Sequence, residues 1–286
     1  MSPATFNLGG ELSINRLGFG AMRLCAQPGN FGPFPDWDAG KRLLRRAFEL
    51  GVNFIDTAHA YGPGWNETLI GEALADWKEP VVVATKGGVE KTAPDRVFPD
   101  GRPEQLRLRC EESLRRLQLE RIDVYQLHRP DPAVAFADSV GALAQLQSEG
   151  KIRHIGLSNV SLSQIKEALA IAPVVSVQNR YNLEERGDEE VLQFCATQGI
   201  AYLPWGPLAA KPFAPDAPLS QDSRLTEIAR TLNATAGQLA LSWLLHHAPN
   251  VVLIPGTTST VHLEENLGAS QIRLDAKTQA ALEAQG

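Results

Sequence analysis

The sequence predicts a (β/α)8 barrel, the TIM-barrel fold class, with an N-terminal β-hairpin and extra C-terminal helices. Eight short apolar runs recur along the chain, and each is followed by a stretch of helical periodicity. Unbroken strand–helix alternation implies parallel strands joined by right-handed crossovers, and eight such units in 286 residues suit a closed barrel better than an open sheet. No linker or shift in composition divides residues 1–286, so a single domain is expected.

The elements follow in order. Phe6 to Asn15 reads as a small hairpin turning at Gly9-Gly10. Leu17 to Met22 is the first barrel strand, and a loop rich in Gly, Pro and Phe runs from Gln27 to Pro35. The first helix spans Asp38 to Leu50, with Leu43, Leu44, Ala47 and Leu50 on one face and Gly51 as its stop. Strand two is Asn53 to Asp56. Asn66 is the expected N-cap of a helix whose stripe is Leu69, Ile70, Ala73, Leu74 and Trp77. Strand three, Val81 to Thr85, is apolar throughout, as a strand covered on both faces should be. A long loop from Gly87 to Arg102 precedes Pro103, which opens a helix reaching about Leu117.

Strand four is Ile122 to Leu127, and a helix from Ala135 to Ser148 closes at Gly150. Strand five is Ile152 to Leu157, followed by a capping box, Ser161-x-x-Gln164. Strand six is Val174 to Val177, and the helix from Asp188 to Thr197 stops at Gly199. Strand seven, Ile200 to Trp205, leads into a Pro-rich loop. Its Pro212, Pro215 and Pro218 read as a stiff barrel connection rather than an SH3 ligand. Helices near Ser223 to Leu232 and Thr235 to His247 follow, the second opened by Thr235-x-x-Gln238. Strand eight is Val251 to Ile254, and helices near Val261 to Leu267 and Asp275 to Glu283 finish the chain.

Composition narrows the function classes. A 43% hydrophobic content allows a large core. Net charge is −6, from 27 basic and 33 acidic residues, which argues against a nucleic-acid partner. No apolar run is long enough to span a membrane, and no signal peptide is apparent. Cys25, Cys110 and Cys195 are odd in number and far apart, so neither a disulfide framework nor a metal site is suggested. A cytoplasmic enzyme is expected, and the sequons at Asn66, Asn159 and Asn233 are chance matches.

The chemistry lies at the strand ends, because the carboxyl face of a barrel holds its site. Four of those ends read I-D-T-A-H-A-Y, V-A-T-K, Y-Q-L-H and G-L-S-N. They bring Asp56, Tyr61, Lys86, His128, Ser158 and Asn159 to one rim. Taken singly, each has a bland reading: a loop cap, a packing aromatic, a solvated charge, a bonded rim histidine. Taken together at successive strand ends, they point to a proton-donating site. A phenol's ordinary pKa is ~10, so Tyr61 needs a neighbouring cation, and Lys86 is expected to lower it. Asp56 would keep Lys86 charged and aimed, and His128 would orient a carbonyl oxygen. A proton donor with no nucleophile–base pair calls for an electron source, and a nicotinamide hydride supplies one.

Asp56, Tyr61, Lys86 and His128, in these strings, resemble the catalytic tetrad of the aldo-keto reductase superfamily. The similarity covers nearly the whole chain: G-F-G-A-M from Gly18, I-G-L-S-N from Ile155, V-Q-N-R-Y-N from Val177, W-G-P-L from Trp205, and I-P-G-T-T with H-L-E-E-N from Ile254 to Asn266. Within the superfamily it looks most like the short bacterial reductases that resemble pyridoxal reductase.

The resemblance implies an extended NADP(H) across the barrel mouth, without a Rossmann domain, and NAD(H) stays open. It implies that Gly20, Ala21 and Met22 border the nicotinamide, beside Asp56. Ser158, Asn159 and Gln178 would hold the carboxamide, and Trp205 would stack on the ring. Gly206, Pro207 and Leu208 would follow the pyrophosphate. Pro255, Gly256, Thr257, Thr258, His262, Glu265 and Asn266 would surround the adenosine end. One departure stands out: from Ile254 to Gln271 there is neither lysine nor arginine for a 2′-phosphate, and His262 stands where relatives often have arginine.

The expected reaction is reduction of a small aldehyde or ketone, with Tyr61 as proton donor. Met22, Arg23, Phe31, Phe34, Trp65, Arg129 and Pro130 are the candidate pocket walls. Arg23 and Arg129 would either meet an anionic group or stay solvated at the rim. A monomer is the family's default. Two other readings stand beside this one. The first is a nucleotide-binding regulatory subunit resembling potassium-channel β-subunits. The second is a Schiff-base aldolase with Lys86 as nucleophile.

Overall fold

The structure, a computed structural model, describes residues 4–208 and 223–284. Seven parallel strands form a curled sheet in the spatial order β11-β10-β9-β8-β5-β4-β3. These are β3 (Phe19–Gly20), β4 (Phe54–Asp56), β5 (Val82–Gly87), β8 (Ile122–Leu127), β9 (Ile152–Ser158), β10 (Val174–Gln178) and β11 (Ala201–Tyr202). The expected eighth strand is present as a closing seam rather than a ladder. Val251 bridges Tyr202 and Leu253 bridges Leu17, both in parallel sense. Val252 N–H donates to the Tyr202 carbonyl at 2.9 Å, and Leu253 N–H to the Arg16 carbonyl at 2.8 Å. The sheet is therefore a closed barrel, as predicted.

The helices that cover it are α1 (Trp37–Glu49), α2 (Trp65–Leu74), α3 (Pro103–Leu117), α4 (Phe136–Ser148), α5 (Leu162–Leu169) and α6 (Glu189–Gln198). After them come α7 (Ser223–Thr231), α8 (Ala236–His247), α9 (Thr260–Gly268) and α10 (Ala276–Glu283). Both expected capping boxes form, at Ser161/Gln164 and Thr235/Gln238. Pro103 opens α3, and Gly199 ends α6 in the left-handed conformation. The Pro212–Pro218 segment lies outside the described residues.

Two cores result. The larger packs the helices onto the outside of the barrel. The smaller fills its interior with Phe54, Val82, Ala84, Val124, Val252 and neighbours, and includes Leu8 and Ile14. Those last two come from the N-terminal hairpin, β1 (Thr5–Leu8) and β2 (Leu12–Asn15). Asn15 N–H donates to Asn53 just before β4, and Glu11 meets His154 early in β9. The hairpin thus plugs the amino-terminal end of the barrel and leaves the carboxyl end open.

Three expectations need correction. Asn66 does not cap α2. Gly64 does, in a left-handed conformation at φ 83°. Asn66 instead points inward, where Nδ2 donates to the carbonyls of Ala21 and Leu24 at 2.8 Å each and Oδ1 accepts from Thr57 at 2.6 Å. The loop from Gly87 to Arg102 is in fact a second antiparallel hairpin, β6 (Val89–Ala93) and β7 (Arg96–Pro99). Finally, the first barrel strand is only Phe19–Gly20, because residues Ala21–Arg23 turn into a 3-10 helix at the rim.

Candidate active site

The carboxyl ends of β4, β5 and β8 converge on one buried cluster. Asp56 ends β4, pairs in register with Ala84, and is only 3% exposed. Lys86 lies two residues further along β5 and is 0% exposed. Its ammonium donates to Asp56 Oδ2 at 2.6 Å, to the Thr57 carbonyl at 2.8 Å and to Tyr61 Oη at 3.5 Å. A buried ammonium has three protons to place, and here each has an acceptor. The Tyr61 loop is pinned by His59 N–H on the Lys86 carbonyl at 3.0 Å and by Gly62 N–H on the Asn30 carbonyl at 3.0 Å.

Asp56 is held from its other side as well. Gln126 and Gln178 donate to Oδ1 at 3.0 and 2.8 Å. Gln126 was not among the expected site residues. Its signal was its position, because strand alternation puts it in register with Lys86. His128 follows β8, its N–H donates to the Gly87 carbonyl at 2.8 Å, and its ring meets Tyr61 edge-on at 5.9 Å.

The electrostatics correct one expectation. Burial raises the Tyr61 phenol above its ordinary value, and Lys86 opposes that shift without reversing it. The resting phenol therefore keeps its proton. Burial by itself would lower the Lys86 ammonium, but Asp56 and Tyr61 outweigh it, and the net shift is upward. Lys86 is thus an ammonium, which is no amine nucleophile. Burial, then the Lys86 charge, then Arg129 push His128 well below its ordinary value, so the imidazole is neutral near neutrality. Its Nδ1 is buried without a hydrogen-bond partner.

A cleft of about 370 Å³ opens above this cluster. One side is formed by Gly20 and Met22, by Ser158, Asn159 and Gln178, and by Trp205–Leu208 with Ile254–Gly256. The other side has Arg23, Asn30, Ala60, Tyr61, His128 and Arg129, plus Val89, Lys91 and Val97 from the second hairpin. The hairpin residues were not expected, because the hairpin itself was not, and Asn30 and Ala60 were not among the expected residues either. Lys86 lies beneath the cleft rather than in its wall. Phe31 and Trp65 do not line it: the loop bearing Phe31 folds back through its N–H onto the Ala26 carbonyl, and Trp65 packs edge-on against Trp37 at 6.1 Å. Ala21 is fully buried, and Phe34 packs against the outer core. Pro130 is likewise outside the lining.

The first side suits a long nucleotide. Gly20 and Gly256 approach so closely that a Cβ on Gly20 would sit 2.4 Å from the Ile254 carbonyl oxygen, and one on Gly256 would sit 2.5 Å from that of Gly20. Only glycines keep this seam closed below the groove. Trp205 presents its indole to the cleft, backed by the Arg180 guanidinium 5.2 Å from the ring centroid. Gln178 spends its amide N–H on Asp56, leaving its carbonyl oxygen for an amide donor. Asn159, in the left-handed region at φ 57°, is engaged at both ends: Nδ2 donates to His128 O and Ser158 Oγ, and Oδ1 accepts from Trp205 Nε1 at 3.2 Å. Thr257, Thr258, His262, Glu265 and Asn266 stand beyond this cleft at the start of α9 and along it. Ser259 caps that helix, Thr257 Oγ1 accepts from the Ser259 N–H, and Glu265 accepts from Thr235 at 2.5 Å.

No group of three or more His, Cys, Asp or Glu side chains suited to a metal occurs among the described residues, and no described helix is long and apolar enough to cross a membrane.

Known proteins bear on this arrangement directly. The model of the Aldo/keto reductase family matches residues 16–285. An uncharacterized oxidoreductase of Schizosaccharomyces pombe is 43% identical over 97% of this chain and 88% of its own length. Pyridoxine 4-dehydrogenase of Escherichia coli is 41% identical over 99% of this chain and 98% of its own. A crystal structure of an aldo/keto reductase from Klebsiella pneumoniae, in complex with NADP and acetate, superposes with a TM-score of 0.83 at 27% identity, covering 98% of this chain and 94% of that one. Sequence and fold agree over essentially the whole chain: it belongs to the aldo/keto reductase family.

Proposed function

We propose that this chain reduces small aldehydes and ketones to alcohols, taking hydride from NADPH and a proton from Tyr61. One observation carries the reading: the Lys86 ammonium lies 2.6 Å from Asp56 and 3.5 Å from the Tyr61 hydroxyl, at the floor of an open cleft. When bound, the reduced nicotinamide supplies the hydride to the carbonyl carbon. The carbonyl oxygen then gains negative charge. Tyr61 gives it a proton, and the phenolate left behind falls within reach of a full positive charge. Burial keeps the proton on the phenol at rest, and Lys86 eases its departure. Neutral His128 is placed to donate a hydrogen bond to the same oxygen and fix its direction.

NADPH is preferred in this reading because the Klebsiella relative binds NADP. Here Ser259, the backbone amides opening α9 and His262 would take the place of a missing arginine at the 2′-phosphate. A single set of measurements tests the proposal. Tyr61→Phe should lose about 10²–10⁴-fold in kcat while its NADPH Kd, read by fluorescence titration, stays within twofold. In the parent, kcat/KM should be higher for NADPH than for NADH. A Tyr61→Phe variant with parental turnover refutes the proton-donor assignment, and a marked NADH preference refutes the coenzyme.

A further inference from the structure

We propose that the cleft selects carbonyl substrates that also carry an anionic group, a carboxylate or a phosphate, received by Arg23, Lys91 and Arg129. This rests on the carbonyl-reductase reading above and supplies its substrate class.

The observation is a contrast in how this chain treats its cations. Among the described residues, the other lysines and arginines that are wholly or partly buried are all compensated. Lys41, Arg45, Arg46, Lys86, Arg107, Arg109, Arg116, Lys151, Arg153 and Arg180 each have a carboxylate within 4.0 Å. Arg16 and Arg186 instead donate to clusters of backbone carbonyls. Arg23 and Lys91 depart from the pattern. Both are part-buried, both line the cleft, and neither has a carboxylate within that distance among the described residues. Lys91 has one acceptor, the Gly29 carbonyl, which leaves two ammonium protons to place. Arg129, exposed and next to His128, adds a third cation to the same wall.

Among the described residues nothing in the cleft neutralises them. Asp56 is the one carboxylate among the described lining residues, and it is 3% exposed and already paired with Lys86. Leaving a half-desolvated ammonium unpaired is costly, and burial does lower the Lys91 pKa. A ligand anion would remove that cost. The cations stand on the 3-10 turn, the β6 strand and the loop after β8, beside Tyr61 and His128. The nucleotide residues Trp205–Leu208 and Ile254–Gly256 line the same cleft from other elements. Val89 and Val97 flank Lys91, so the substrate pictured is an apolar or aromatic body with an anionic end.

The test uses matched aldehydes. With NADPH, 4-carboxybenzaldehyde should exceed its near-isostere 4-carbamoylbenzaldehyde by tenfold or more in kcat/KM, although the carboxamide is the more electrophilic. A second comparison, 4-formylphenyl phosphate against 4-methoxybenzaldehyde, tells a phosphate site from a carboxylate site, and a tenfold preference in either pair supports the proposal. In the preferred pair, Lys91→Gln should cut the ratio at least threefold, Lys91→Arg should retain it, and Arg23→Gln combined with Lys91→Gln should bring it near parity. Parity in the parent for both pairs overturns the anion subsite and leaves the reductase reading intact. Substitutions that raise the KM for NADPH at an unchanged ratio also overturn it, by assigning the cations to the coenzyme. No turnover of any of the four aldehydes removes the reductase reading itself.

Discussion

Lys86 has no exposed surface, and its stability depends on the carboxylate 2.6 Å away. The converse holds too: Asp56, almost as buried, accepts two amide hydrogen bonds but meets a single cation. Replacing Lys86 by methionine keeps the volume and removes the charge. It should destabilise the fold by about 3–5 kcal/mol, because an uncompensated carboxylate is left in the interior. Activity should fall together with Tyr61→Phe, since the phenolate then forms without a counter-charge. Urea unfolding and steady-state turnover on the same preparation read both effects, and a variant as stable as the parent would mean that the buried carboxylate does not depend on Lys86 for its stability. At this scale much was legible in advance. Asp56, Lys86 and His128 announce themselves because each stands at the end of a strand, where side chains emerge at the barrel mouth, and Tyr61 lies on the loop just after the first of them. The direction of the Tyr61 shift was not legible, because it depends on how deeply the ring is buried against how near the ammonium comes. Asn66 misled for a similar reason: its capping chemistry suits a helix start, yet Gly64 and its positive φ start the helix two residues earlier.

Among the elements, the hairpin β6–β7 is the piece that sequence periodicity missed. V-E-K-T-A and R-V-F-P are short and charged, and only the Pro94-Asp95 turn between them marks the reversal. Its tertiary anchor is Glu90, which receives both Nε and Nη2 of Arg109 at 2.7 Å, with His59 near the same carboxylate. Burial would raise the Glu90 pKa, but His59 and Arg109 outweigh it and hold the group at about 2, against an ordinary 4.5. Because the folded state binds this proton less readily than the unfolded one, the anchor stabilises the protein fully above about pH 4.5. Its contribution is lost as pH falls from there toward about 2. Glu90→Gln should therefore cost about 2 kcal/mol at pH 7 and less at pH 3, where the parent has already lost part of the pair. Denaturant melts at the two pH values give the difference, and an equal cost at both would show that the ion pair carries no pH-dependent stability. Because Lys91 follows Glu90 directly, the same substitution should also blur the anion selectivity of the cleft.

For the molecule as a whole, the question is how the barrel closes with so little strand at its seam. The closing residues 251–254 form isolated bridges, and β3 is only two residues long. Apolar periodicity made that eighth run visible, but a run of four cannot reveal what secures it. The structure points to Arg16, 2% exposed, whose guanidinium donates to the carbonyls of Val251, Leu245 and Ala248 at 2.8, 3.0 and 2.5 Å. It ties the entry to β3, the end of α8 and the closing run into one joint. Burial lowers its pKa to about 10, which still leaves it charged at neutral pH. The same joint aligns Gly20 with Ile254 and Gly256, so the nucleotide-facing side of the cleft depends on it. Arg16→Met keeps the aliphatic stem and orphans these buried acceptors. The expected loss is about 3 kcal/mol, or a fall of roughly 6 °C or more in melting temperature. Saturating NADPH should restore part of that loss, since a ligand lying over the Gly20–Gly256 seam binds only the closed barrel. Thermal unfolding of parent and variant, with and without NADPH, makes the comparison. If Arg16→Met melts within a degree or two of the parent, the closure is secured by the apolar packing of Leu17, Leu253 and their neighbours, and the guanidinium is dispensable to it.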